Sequence, residues 1–365
     1  MDNLKARICN IHINLQDLLE YLSSQGIKPK LKIGPLAQVE EITFSIPVGR
    51  YGTNWFIRAC LATNSVSISG GVTKTFFGHN VWVFNDEYVQ LEAILGIVGR
   101  ALNRVVGLRL PESLFHRGFP DIFIERVELT NHHVLPEPET QRTAIKKIDT
   151  LFIVQFPKRR HLYGDTLDLP GVTSIGRTKS TKECRVYDPT EKYNLKPEHV
   201  SQELWDALFA ECRRDLRVEM IMSDREIAQW GMATVEAWQD SAKIQTFLEK
   251  KYHRFGLSVA HNTSMDTLLP AHVRETNPSF VDYARYWFTA GKRGLAPDKR
   301  SGSYNRFRQY MESKGFNINA TFERHKLLAH GLHDYLRPSC RAELSSSLRG
   351  NYELFYRWWE NGGDC

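Results

Sequence analysis

The sequence predicts an α+β fold: a mixed or antiparallel sheet with helices on one face, followed by a helical C-terminal domain. Up to about residue 222, short runs alternate polar and apolar residues, which is the period of strands. Beyond Gly231 the pattern becomes mainly helical and is interrupted by proline, glycine and charged residues. We therefore place a catalytic domain at residues 1–240 and a helical domain at 241–365.

Composition limits the classes of protein to which the chain can belong. The chain has 365 residues, 42% hydrophobic and 25% charged, which excludes extensive disorder and allows two domains. A net charge of +6 permits a polyanionic partner without requiring one. Six cysteines without a C-x-x-C pair indicate neither a zinc site nor a disulfide framework. With no signal-peptide pattern and no long apolar run, we expect a soluble cytoplasmic protein without membrane contact.

The first third is predicted to be rich in strands, with one long helix. Residues 40–48 and 54–63 read as strands separated by glycine turns, and 66–71 alternates into another turn. A stripe of apolar residues at helical spacing predicts a helix over 86–106, with Asn85 or Asp86 as its N-cap.

The middle of the chain continues with strands and short helices. The predicted elements are a strand at 121–131, a mixed helical stretch at 135–148, strands at 152–156 and 184–187, a helix at 202–212 and a strand at 216–222.

Three of these strands share one pattern. They contain Arg126-Val127-Glu128, Arg185-Val186-Tyr187 and Arg217-Val218-Glu219. Because strand side chains alternate between faces, the first and third residue of each triplet lie on the same face. If the strands are neighbours with these faces aligned, two carboxylates, a tyrosine and three arginines converge.

Such a group fits phosphodiester chemistry. A tyrosine nucleophile conserves the energy of the broken bond as a phosphotyrosine. Hard divalent cations, here Mg²⁺ or Mn²⁺, take oxygen ligands and polarise a phosphate, and arginines neutralise the developing charge. The assigned roles are Tyr187 as nucleophile; Arg126, Arg185 and Arg217 as clamps; and Glu128, Glu219 and His132 as metal ligands. The alternative is an ordinary solvated strand face with cross-strand ion pairs, and a capping or surface role for His132.

Basic residues predict the DNA contacts. The candidates are Lys158, Arg159, Arg160, Lys179, Lys182, Lys292, Arg293, Arg306 and Arg308. The last four flank or lie near a turn region at 291–302 between two predicted helices, a density of cations that suits a duplex backbone. A solvated helical bundle explains the same pattern equally well.

At these residues the chain resembles the replication initiators of filamentous phages, the gene II protein family, and more distantly rolling-circle plasmid initiators. The resemblance is carried by Phe77-Gly78-His79-Asn80 before the long helix, by residues 124–130, 176–187 and 216–220, and by the paired helices at 283–291 and 303–318. It touches most of the chain, through short motifs.

The resemblance implies a nuclease-like catalytic fold and a metal-dependent enzyme that nicks single-stranded or double-stranded origin DNA. Strand transfer would pass through a 5′-phosphotyrosine on Tyr187 and start rolling-circle replication. The implied partners are phage or plasmid origin DNA and the host helicase and polymerase, in the cytoplasm of a bacterial host.

Two positions depart from the family pattern. The family usually has a lysine two residues after the tyrosine, where this chain has Pro189; Lys192 is the nearest substitute. The acid at 128 is glutamate where the family often has aspartate. Tyr163 and Tyr193 are rival nucleophiles outside the matching strand context.

Two other functions remain open. A non-catalytic DNA-binding replication regulator would need the basic helices but not Tyr187. A relaxase or transposase would share the strand-transfer chemistry with another DNA partner, although the His-x-His form usual in relaxases is absent from the sequence.

Overall fold

The computed structural model describes residues 1–82, 86–112, 119–151, 161–163, 166–170, 182–192, 196–255, 265–289 and 298–313, and a few positions beyond them. The strands are β1 Asn3–Ile8, β2 His12–Ile13, β3 Lys30–Ile33, β4 Val39–Val48, β5 Thr53–Cys60, β6 Ser65–Gly71, β7 Leu108–Arg109, β8 Ile122–Val134, β9 His161–Tyr163, β10 Thr166–Pro170, β11 Lys182–Tyr187 and β12 Asp215–Met222.

The α-helices are α1 Leu15–Ser24, α2 Val72–Phe77, α3 Glu87–Asn103, α4 Gln141–Leu151, α5 Pro189–Lys192, α6 Gln202–Cys212, α7 Asp224–Gln229, α8 Ser241–Arg254, α9 Met265–Leu268, α10 Ala271–Thr276, α11 Ser279–Phe288 and α12 Gly302–Ser313. The predicted α+β class with a large antiparallel sheet is confirmed.

Ten of the described strands form one antiparallel sheet in the order β3-β4-β5-β6-β1-β8-β12-β11-β10-β9. The order divides into two halves with the same connectivity. In each half the first strand, β1 or β8, pairs with the last, β6 or β12, and the others follow in reverse chain order. The pairing of β1 with β8 joins the halves, so the start of the chain lies beside the centre of β8.

The two faces of the sheet differ in chemistry. The register places Leu4, Ala6, Val127 and Leu129 on one apolar face, which forms the main core with residues of α1, α3, α4 and α8. The opposite face carries the polar residues that alternate with these apolar residues along the strands. Helix α6 lies on that side, in a smaller apolar cluster with Val81 and Trp82. The helices described here therefore pack mostly on one face.

Most predicted elements are present. The long helix is α3, and the side chain of Asp86 accepts a hydrogen bond from the Val89 amide as its N-cap. The predictions missed β1 and α1, although α1 has a regular N-cap at Asn14. The predicted strand at 152–156 lies outside the described residues.

Beyond the sheet, the last described helices have a core of their own. Aromatic residues of α11 and α12, among them Phe280, Tyr283 and Phe307, pack together with Leu268 and Leu269. In contrast, Phe247 and Leu248 of α8 join the core of the sheet, although α8 begins at residue 241. Within the described part of the chain, no helix is long and apolar enough to cross a membrane.

Candidate functional site

The three strands with the shared pattern are neighbours. In the sheet β12 lies between β8 and β11, and the β11–β12 register puts Arg185 opposite Glu219 and Tyr187 opposite Arg217. Residues opposite each other in an antiparallel ladder project from the same face. The convergence predicted from the alternation of residues is therefore present for these four side chains.

Glu219 is the centre of this group. Its Oε1 accepts a hydrogen bond of 2.5 Å from the Tyr187 hydroxyl and lies 3.3 Å from Nη2 of Arg217. Its Oε2 accepts a hydrogen bond of 3.3 Å from Arg185. One carboxylate thus connects the predicted nucleophile with two of the predicted clamps.

Arg217 connects the strand pair to the start of the chain. Its Nη2 donates to Oδ2 of Asp2 at 2.8 Å, and its Nη1 donates to the carbonyl of Asn80. Asn80 belongs to the Gly-His-Asn segment, so this segment lies over the polar face. His79, interpreted from sequence as a turn residue, directly follows the left-handed Gly78 that ends α2 and is buried.

Asp2 is a site residue that sequence analysis missed. Its amide donates to the Glu128 carbonyl at 2.9 Å, which places its side chain beside those of Glu128 and Glu219. Carboxylate oxygens of the three acids lie within 4.8 Å of one another. No local pattern marks Asp2, because its position depends on the pairing of β1 with β8.

Glu128 forms the outer edge of this acidic group. Its Oε2 accepts a hydrogen bond of 2.5 Å from Asn3, and its Oε1 pairs with Arg126 at 2.8 Å. The side chain of Arg126 is 47% exposed and that of Glu128 is 14% exposed. The group therefore opens toward solvent on the Glu128 side.

The acidic group fits a hard divalent cation. Burial raises the pKa of Asp2 to about 6; Arg217 opposes this shift, and Glu219 and Glu128 add to it. Oδ1 of Asp2 is buried and has no hydrogen-bond partner among the described residues. An orphaned carboxylate oxygen beside two further carboxylates is a suitable ligand set for Mg²⁺ or Mn²⁺.

The inner part of the site is closed. Tyr187 and Arg217 are 0% exposed, and Glu219 is 2% exposed. The Arg217 guanidinium lies 5.4 Å from the centroid of the Tyr187 ring, a cation–π contact. Arg185, with 28% of its side chain exposed, lies between this interior and solvent.

His132 lies on the same face but in a second group. It is opposite Arg217 in the β8–β12 ladder, and its ligand atoms group with those of Cys212 and Asp215, not with the three carboxylates. Trp82 stacks on its ring at 4.2 Å. Burial lowers the pKa of His132 well below its usual value.

The other two members of that group are also buried. Burial raises the pKa of Asp215 to about 7, with a contribution from Glu211. Burial likewise raises the pKa of the Cys212 thiol well above its usual value. Neither Cys212 nor Asp215 is predicted as a site residue from the sequence.

Few of the predicted DNA contacts fall on described side chains. On α12, Arg306 is exposed and Arg308 is partly buried. Lys182 begins β11, and Lys192 and Tyr163 lie in α5 and β9, but only their backbones are described. Lys158, Arg159, Arg160, Lys179, Lys292, Arg293, Tyr193 and the glycine at 176 lie outside the described residues.

Comparison with known proteins adds no assignment. No protein-family model matches the chain, and neither the curated proteins nor the solved structures contain a significant match.

Proposed function

We propose that this protein is a metal-dependent DNA nickase and strand transferase that starts rolling-circle replication of a phage or plasmid. The observation that carries the proposal is the hydrogen bond from the Tyr187 hydroxyl to Glu219, a carboxylate that also belongs to the Asp2–Glu128–Glu219 group. A potential nucleophile, its base and a cation site thus meet at one side chain.

Each residue has a defined part in the reaction. Glu219 takes the phenolic proton as the Tyr187 oxygen attacks phosphorus, and the bond from phosphorus to the 3′-oxygen breaks. The leaving 3′-oxygen takes a proton from water and becomes the primer hydroxyl. Arg185 and Arg126, which are partly exposed, bind the phosphate oxygens. A cation held by the three carboxylates would polarise the scissile phosphate.

The substrate would then be origin DNA, and the cofactor would be Mg²⁺ or Mn²⁺. The 3′-hydroxyl it leaves requires a polymerase, and the displaced strand requires a helicase, both from a bacterial host in whose cytoplasm the protein would act. The exposed Arg306 on α12 supports contact with the DNA backbone.

A second function is favoured by one observation. Tyr187 is 0% exposed and its hydroxyl already donates to Glu219, an arrangement that also suits a purely structural tyrosine. On that hypothesis the protein is a non-catalytic DNA-binding regulator of replication on the same scaffold.

Covalent capture separates the two functions. Purified protein is mixed with Mn²⁺ and labelled single-stranded or supercoiled DNA that carries the intergenic region of its own replicon, and products are resolved on a denaturing gel. We expect a DNA–protein adduct that is lost in Tyr187→Phe while DNA affinity is retained. Tight binding without an adduct in either form would support the regulator.

Tyr252→Phe is the matched control. Tyr252 is also 0% exposed, and its hydroxyl also has hydrogen-bond partners, Asn131 at 2.8 Å and His133 at 2.7 Å, from the opposite face of the sheet. We expect Tyr252→Phe to keep the adduct. An adduct that survives Tyr187→Phe would mean that another tyrosine, Tyr163 or Tyr193, is the nucleophile.

A further inference from the structure

We propose that His132, Cys212 and Asp215 form a buried zinc site, separate from the acidic group that would hold Mg²⁺ or Mn²⁺. One ligand atom from each residue lies within 4.8 Å of the other two. His132 comes from β8, Asp215 begins β12 and Cys212 ends α6, so a single ion would connect three elements.

The polar atoms of this group have few partners. His132, Cys212 and Asp215 are 2%, 0% and 0% exposed. Both ring nitrogens of His132 and both carboxylate oxygens of Asp215 have no hydrogen-bond partner among the described residues. Nδ1 of His132 lies 3.4 Å from Oδ2 of Asp215, without a hydrogen bond between them. Four buried polar atoms without hydrogen bonds are costly, and direct coordination to a metal ion removes part of that cost.

The donor set selects the metal. Thiolate and imidazole are ligands of zinc and of softer transition metals, whereas Mg²⁺ takes oxygen ligands. A thiolate and a carboxylate together carry two negative charges, which balance one divalent cation in a buried site. Binding releases the thiol proton of Cys212 to solvent. Arg217, opposite His132 in the ladder, is already bonded to Asp2 and lies beside Glu219.

The surroundings indicate a structural ion more than a catalytic one. Trp82 covers the ring of His132 at 4.2 Å. The Cys212 thiol donates a hydrogen bond of 3.8 Å to the carbonyl of Val81, and this oxygen would be the fourth ligand that closes the site. Closed zinc sites stabilise a fold, and here the ion would hold α6 and the Val81–Trp82 segment over the polar face.

Metal analysis tests the site on the full chain. The protein is purified without chelator, its metal content is measured, and the chelator-treated protein is then titrated with Co²⁺ as a spectroscopic probe. We expect about one zinc ion per chain and, with Co²⁺, a thiolate-to-cobalt charge-transfer band together with the visible bands of four-coordinate cobalt. Cys212→Ser should abolish the charge-transfer band.

Two control variants test whether the charge-transfer band depends on this site alone. Cys184→Ser removes a buried thiol on the apolar face of β11 and should keep the band. Glu128→Gln, which alters the acidic group, should also keep it. An unchanged band in Cys212→Ser, or its loss in Glu128→Gln, would contradict the assignment.

The zinc content and the cobalt spectrum of the wild-type protein test the proposal even if the variants fail to fold. No zinc as isolated and no cobalt band on titration would overturn the proposal. Because metal content and the cobalt spectrum do not depend on DNA cleavage, they also distinguish failure of this site from failure of the proposed nickase.

Discussion

Replacing Glu219 by glutamine is the sharpest test of how the acidic site is held together. The substitution keeps the size of the side chain and removes its charge. Arg217 is fully buried and loses its ion pair with the Glu219 carboxylate at 3.3 Å, but it keeps its ion pair with Asp2 at 2.8 Å. Breaking a buried ion pair costs about 3–5 kcal/mol when the remaining charge has no partner. Since Asp2 still pairs with Arg217, and since the Arg185 contact is partly screened by solvent, we expect about 2–3 kcal/mol.

Glu128→Gln is the matched comparison. The ion-pair partner of Glu128 is Arg126, whose side chain is 47% exposed, so we expect a loss of only about 0–1 kcal/mol. Asn3 can still donate to the amide oxygen of the new side chain. Both variants remove a carboxylate from the proposed cation site, so both should impair metal-dependent cleavage more than DNA binding.

The assay pairs urea denaturation with covalent capture across a Mn²⁺ titration. The expected result is a large stability difference between the variants but a similar loss of adduct. If both variants lost the same amount of stability, the buried ion pair of Glu219 with Arg217 would contribute no more than the exposed ion pair of Glu128 with Arg126. Normal cleavage in Glu128→Gln would remove Glu128 from the cation site.

Three further predictions concern folding and DNA contact. Burial lowers the pKa of His79 from 6.5 to about 4, so the unfolded chain binds a proton that the folded chain does not, and stability is lost as pH falls from about 6.5 to 4. His79→Gln should remove up to about 3 kcal/mol of this dependence, measured by denaturation at each pH. Gly70→Ala should destabilise the fold by about 1–3 kcal/mol, because its Cβ would lie 2.4 Å from the ring of Trp55; thermal unfolding tests this, with Gly302→Ala as the unobstructed control. Arg306→Ala should weaken DNA binding similarly across sequences and lower the salt slope by about one, as measured by fluorescence anisotropy.

Several features of this protein follow from local sequence alone. The face on which a strand side chain lies depends only on alternation, so Arg185 with Tyr187, and Arg217 with Glu219, are found together as predicted. The α3 helix and its Asp86 cap are equally local, because an apolar stripe and a capping side chain act within a few residues.

Which strands become neighbours was decided only by the tertiary structure. Asn3 meets Glu128 across 125 residues, because the apolar faces of β1 and β8 pack in one core and their backbones pair. That pairing brings Asp2 to the acidic group, and the pairing of β8 with β12 brings His132 to Asp215. The spacing of residues along the chain does not predict such contacts, because burial of apolar surface determines which strands become neighbours whatever their separation in the sequence.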